Sequence, residues 1–318
     1  MLESKKIITR QSMSHFRTFD TEMEDVIPRR TRLIDQTNWI YSEYLSGTAG
    51  DFFSQFTAGS SPSIIAFNKI LQKDLPAEHA LFNANSGSLT TVRGVNFSSK
   101  NVIEGCLFDQ VASLKNVLEG LLIYQLSREC AGTWTRDYLE EYLQIKKAFF
   151  TTHPHKCTGY KTNITRLKQE LGSDKLTSIA LVPSTFESFY FMCSYRVLGK
   201  PVKMAHQNID KLNEIARSNT QSLLEEFASW LQDIKHRKDI IFVDHINGSI
   251  NNKDTFVNQM EDIFGMIDKE YSNYVINSYK EKRYNNNLDR MDKWKAIMER
   301  EWLSSEYAVD ILRELSII

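Results

Sequence analysis

None of the four cysteines, Cys106, Cys130, Cys157 and Cys193, stands close enough to another to make a Cys-x-x-Cys pair. That spacing argues against a zinc cage or a disulfide framework and fits a reducing compartment. Long apolar runs are missing as well, so no segment is expected to cross a bilayer. The first ten residues carry lysines but lead into no apolar block, so no secretory signal is expected and a cytoplasmic location is. Nor does charge of one sign dominate. Lys and Arg number 39 against 40 Asp and Glu, a formal net charge of -1. Such a chain has no global basic field to draw it to nucleic acid or an anionic membrane. There is no internal repeat, no Asp-x-Asp pair of the kind that holds a metal in sugar transfer, and no Gly-Lys-Ser/Thr of a nucleotide kinase.

What is present is an ordinary globular composition. Hydrophobic residues make up 42% and charged residues 25% of 318, enough for one large α/β domain or two small ones. Residues 1–36 are polar, carry Arg29-Arg30-Thr31-Arg32, and read as an extension with limited core contact. Four apolar stretches read as buried strands, at 39–45, 148–154, 177–183 and 239–244. Between them the spacing predicts helices: one after residue 50, one starting at Pro62, others over about 100–129, 135–147, 162–171, 185–198 and 208–236. Residues 74–99 read as a long loop, and 254–315 as helical with breaks at Gly265 and Asn285-Asn286-Asn287. Strands separated by helices call for a parallel sheet with helices on its faces. The expectation is therefore an α/β fold, a P-loop-type parallel sheet flanked by helices with a helical C-terminal region, in a single domain over 37–318.

The stretch Trp39 to Phe53 carries the most information. A buried strand runs into Ser46-Gly47-Thr48-Ala49-Gly50 and then into a helix. Strand, short glycine loop and helix turn free N–H groups and a helix N-terminus toward an anion, usually a phosphate. A plain strand-to-helix turn has the same sequence signature. In a parallel sheet the ligand sits outside the carboxyl ends of the strands. That rule gathers loop 46–50, the His153 end of the second strand and the Pro183-Ser184-Thr185 end of the third on one rim.

The order of elements and three local motifs resemble the P-loop sulfotransferases, which move a sulfuryl group from 3'-phosphoadenosine 5'-phosphosulfate (PAPS) to an acceptor. Ser46-Gly47-Thr48 is similar to the Ser-Gly-Thr of the family's 5'-phosphosulfate loop, with Leu45 where the family has lysine. Thr151-Thr152-His153-Pro154 is similar to the Lys-Thr-His segment, with Thr151 in the lysine's place. Leu181-Val182-Pro183 leading to Ser194-Tyr195-Arg196 is similar to the 3'-phosphate motif, without its strand-end arginine. Lys282-Arg283 and Asp292-Lys293-Trp294-Lys295 resemble the basic C-terminal loop.

The resemblance implies a transferase using PAPS as co-substrate, without a metal, acting on an acceptor hydroxyl or amine. It implies nucleotide contacts from Ser46, Gly47, Thr48, Ala49, Gly50, Ser194, Arg196 and Arg283. It makes His153 the general base, with Lys156 supplying charge and His155 or Glu43 as alternates for the base. A histidine at a strand end is also commonly just a rim residue, and Lys161 reads as a surface charge. Asp51, in the first helical turn, suits the helix dipole but repels a phosphosulfate. Two other readings stand beside transfer: a non-catalytic nucleotide-binding or structural relative, and a nucleotide-sugar glycosyltransferase. The expected partners are an adenine nucleotide and an acceptor, with no membrane and no specific nucleic acid. Self-association stays open.

Overall fold

A computed structural model describes residues 32–45, 48, 50–61, 63–66, 114–129, 143, 146–152, 160–197, 208–237, 239–285, 292–305, 310 and 312–313. In chain order these form α1 (Leu33–Gln36), β1 (Asn38–Tyr44), α2 (Gly50–Ser60), β2 (Ile64–Ala66), α3 (Leu114–Glu129), β3 (Lys147–Thr152), α4 (Tyr160–Leu171), β4 (Leu176–Leu181) and α5 (Phe186–Val197). There follow α6 (Ile209–Ile234), β5 (Ile240–Val243), α7 (His245–Asn251), α8 (Lys253–Phe264), α9 (Lys269–Tyr279), a π-helical turn at Lys280–Tyr284, a 3-10 turn at Asp292–Trp294 and α10 (Lys295–Ser304).

The five strands make one sheet in the order β2-β3-β1-β4-β5, and every pairing is parallel. Strands buried on both faces favour largely apolar sequence, which is why Trp39–Leu45 and Leu176–Val182, apart from Ser42, Glu43, Thr177 and Ser178, show so little alternation. One face of β1 sends Trp39 and Tyr41, with Ala148, Phe150 and Leu176, against α1, α3 and α4. On that side Leu45, Ala180, Val182 and Ile240 meet α5, α6 and α10. The other face sends Ile40, Tyr44, Phe149, Ile179, Leu181 and Val243 against α2, α7, α8 and α9. Helices cover both faces of a parallel sheet, as expected, and the C-terminal region is helical. Among the described residues no helix is long and apolar enough to cross a membrane.

Two expectations are corrected. The helix predicted to start at Pro62 is instead strand β2 at Ile64–Ala66, hydrogen-bonded to β3 from Ile64↔Lys147 to Ala66↔Phe149. A short apolar run cannot be assigned by periodicity, and the paired β-branched isoleucines suit an extended backbone. The end of the supposed extension belongs to the core: Leu33 and Ile34 are 3% and 1% exposed. Their N–H groups donate to Glu119 on α3 at 3.0 and 2.9 Å. The α1 turn has no capping side chain of its own, so this distant carboxylate takes its N-terminal donors. Residues 1–31, the loop over 74–99 and all of 135–147 except 143, 146 and 147 lie outside the described residues; of these, Lys147 opens β3. The helix expected over about 100–129 is seen from Leu114 onward.

Gly172 and Gly265 close α4 and α8 with φ of 91° and 90°. Only glycine enters that region without strain, which makes each a helix stop.

A candidate site at the carboxyl edge of the sheet

β1 is the central strand and lies between β3 and β4. Near their carboxyl ends Glu43 pairs with Thr152, and Tyr44 with Leu181. The chain after β1, after β3 and after β4 therefore leaves from three adjacent strand ends. From β1 the chain goes on to β2 at one edge, and from β4 to β5 at the other. The connections thus diverge between β1 and β4, the place where open α/β sheets hold ligands.

The loop after β1 closes tightly. Thr48 is buried; its N–H donates to the Leu45 carbonyl at 3.2 Å and its hydroxyl to the same oxygen at 2.8 Å. Gly50 opens α2 against the ring of Tyr44, and a Cβ there would stand 2.1 Å from that ring. Glycine is needed at 50 because an aromatic ring fills the position of its side chain. Ser46, Gly47, Ala49, His153, His155 and Lys156 lie outside the described residues. Ser194 and Arg196 fall in the later turns of α5, and Arg283 in the π-helical turn; only their backbone is described. At 1.5 Å per residue, Ser194 and Arg196 lie about 12–15 Å along the helix axis from Phe186. The fold thus gathers the ends of β1, β3 and β4, and sets the end of α5 at a distance from them.

Two polar clusters at this edge are not evident from local motifs. The first centres on Asp244, directly after β5. Its Oδ2 accepts from the Ser184 N–H and hydroxyl, both at 2.7 Å. Its Oδ1 accepts from the Ser188 hydroxyl at 2.8 Å and the Asn247 N–H at 3.0 Å. Thr185 caps α5 by accepting from the Ser188 N–H at 3.2 Å. Tyr284, stacked on Phe191 with ring centroids 5.5 Å apart, stands nearby. Burial pushes its hydroxyl pKa up, and the charges of Glu187 and Asp244 push it further. The donors at the end of β4 are thereby turned inward to a carboxylate.

The second cluster lies on the α6 side of the sheet. Glu43 is 2% exposed. Its Oε1 accepts from Arg237 Nη1 at 2.6 Å. The Tyr41 hydroxyl reaches its Oε2 at 3.5 Å and shares a 2.9 Å hydrogen bond with Thr152 Oγ1. Burial raises the Glu43 pKa, and Arg237 and Tyr41 pull it partway back. Sequence reasoning named Glu43 and missed Arg237. The two are 194 residues apart, and only the strand order brings them together. Asp244 carried a weak local signal: an acidic residue at a strand end, starting a helix.

Among the described residues no cluster of three or more His, Cys, Asp or Glu could hold a metal. Compared with family models, with curated proteins and with solved structures, the chain matches none of them.

Proposed function

We propose that this chain is a sulfotransferase-like transferase that takes PAPS at the loop between β1 and α2 and passes its sulfuryl group to an acceptor hydroxyl or amine. The observation that carries the reading is the position of β1. The strand that feeds the Ser-Gly-Thr loop is flanked by the strand that leads to His153 and the strand that leads to Pro183. Three motifs far apart in sequence therefore leave one edge together. Loop N–H groups and the N-terminus of α2 would meet the 5'-phosphosulfate. The acceptor oxygen or nitrogen attacks sulfur, the bond from sulfur to the bridging oxygen breaks, and 3'-phosphoadenosine 5'-phosphate leaves. His153 takes the acceptor's proton.

A non-catalytic nucleotide-binding relative is the second reading, and one observation favours it. Leu45, where the family has its lysine, is fully buried in the apolar cluster with α5 and α6. The experiment that separates the readings is a thermal-shift titration with 3'-phosphoadenosine 5'-phosphate, ATP and nucleotide sugars, since a ligand that binds only the folded state raises the melting temperature. The proposal expects a shift with the 3'-phosphorylated nucleotide that Gly47→Val abolishes while the circular dichroism spectrum stays normal. Binding without sulfuryl transfer selects the second reading. A shift with nucleotide sugars alone overturns both.

A further inference from the structure

Arg237 follows α6 and leads into β5, on the sheet face that carries Tyr41 and Glu43. Its Nη1 is bonded to Glu43, but its Nε and Nη2 are buried without a hydrogen-bond partner. These two nitrogens form one side of the guanidinium, the fork that offers parallel N–H groups to two oxygens of a carboxylate, phosphate or sulfate. Two further buried polar atoms without a partner come from the neighbouring elements: Ser178 Oγ on β4, in register with Tyr41 and Ile240, and Gln232 Oε1 in the last turn of α6.

Arg237 Nε and Nη2 can only donate, so whatever pairs them must accept. A negatively charged group with two oxygens meets both N–H groups of the fork at once. The Arg237 side chain is 12% exposed against 3% for Glu43.

We propose that Arg237 is an oxyanion receptor at the carboxyl end of β1, binding a sulfate, phosphate or carboxylate group on its Nε–Nη2 side. The inference stands on the geometry of the Glu43–Arg237 pair and not on the transferase reading. Where that reading also holds, Arg237 brings a cation to the face on which Leu45 carries none, two residues beyond Glu43 along β1.

The test is thermal unfolding of the full chain in millimolar sulfate, phosphate or acetate, with ionic strength held constant by sodium chloride. The parent's melting temperature should rise by about 2–5 °C at saturation with the preferred anion, and the ranking of the three identifies the oxyanion class. Arg237→Lys keeps the charge but loses the fork, and should lose the shift. Glu43→Gln removes the opposing carboxylate and should respond at a roughly tenfold lower anion concentration. The general salting effect of sulfate appears in all three proteins and cancels in the comparison. No anion-specific shift in the parent, or equal shifts in all three proteins, overturns the proposal. If Arg237→Lys alone loses the anion response while the parent ignores adenine nucleotides, the oxyanion site stands and the transferase reading falls.

Discussion

Asp244 and Glu43 are carboxylates near the carboxyl ends of strands in one sheet, and their surroundings are opposite. Asp244 is surrounded by neutral donors, and its two oxygens accept from Ser184, Ser188 and Asn247. Glu43 is held by a cation that has hydrogen-bonding capacity left over. The first arrangement is complete within the protein and ties β5, α5 and α7 together. The second is strong where it is paired and under-used where it is not. In the first, four donors meet one carboxylate; in the second, two guanidinium nitrogens are without a hydrogen-bond partner.

The sharpest way to break that contrast is to remove the guanidinium. Arg237→Met leaves a buried carboxylate without its partner, and stability should fall by roughly 3–5 kcal/mol. The double change Glu43→Gln with Arg237→Met should recover much of that loss, because replacing both members of a buried pair is far less costly than stranding one. Urea denaturation of the four proteins in the cycle measures the coupling. If the losses of the two single variants add up to the loss of the double variant, the pair is not coupled.

Asp244→Ala should cost less, about 2–3 kcal/mol. The Ser184 and Asn247 N–H groups lose their acceptor, whereas the hydroxyls of Ser184 and Ser188 can turn to other partners. Amide hydrogen exchange should quicken at Ser184 and in the first turn of α7 while β1 stays protected. Uniform acceleration across the sheet would show that Asp244 does not act locally.

The smallest effect is on pH. Glu43 has a folded pKa raised above its ordinary value of 4.5. For a carboxyl raised in this way, the native state binds more protons, so its contribution to stability is fully present below 4.5 and is lost as pH rises through the folded pKa. Glu119 is raised too, mainly by burial, and adds to the same slope. The urea midpoint of the parent should therefore carry a component that falls with rising pH above 4.5, and Glu43→Gln should remove its own share. Identical pH profiles for the two proteins would contradict the shift.

The sequence makes the sheet legible wherever burial on both faces demands a largely apolar run, as in Trp39–Leu45 with its Ser42 and Glu43, or Leu176–Val182 with its Thr177 and Ser178. Helix α6 is equally plain, because Leu212, Leu223, Leu224, Phe227, Leu231 and Ile234 recur at helical spacing and are all buried. Strand β2 is too short, at three residues, to show a period. That the loop after β1 and the ends of β3 and β4 share one rim follows from a topology rule, whereas the strand order that sets β3 and β4 on either side of β1 does not. Nor do the partners of Glu43 and Asp244, since Arg237 and Ser184 are distant in sequence and carry no motif of their own. Gly50 shows a different gap. It reads as a residue that frees the backbone, yet its place is set by the Tyr44 ring packed against it.

The central place of β1 also governs how the chain is made. β1 ends at Tyr44, but one of its neighbours is completed only at Thr152 and the other only at Leu181. At about 5–20 residues per second on the ribosome, the chain between Tyr44 and Leu181 takes roughly 7–27 s to emerge. Throughout that interval Trp39, Ile40, Tyr41 and Tyr44 have no strand to pair with on the β4 side. The segment at the heart of the finished sheet is therefore one that nascent-chain chaperones have time to meet, and its early exposure favours misassembly with another growing copy.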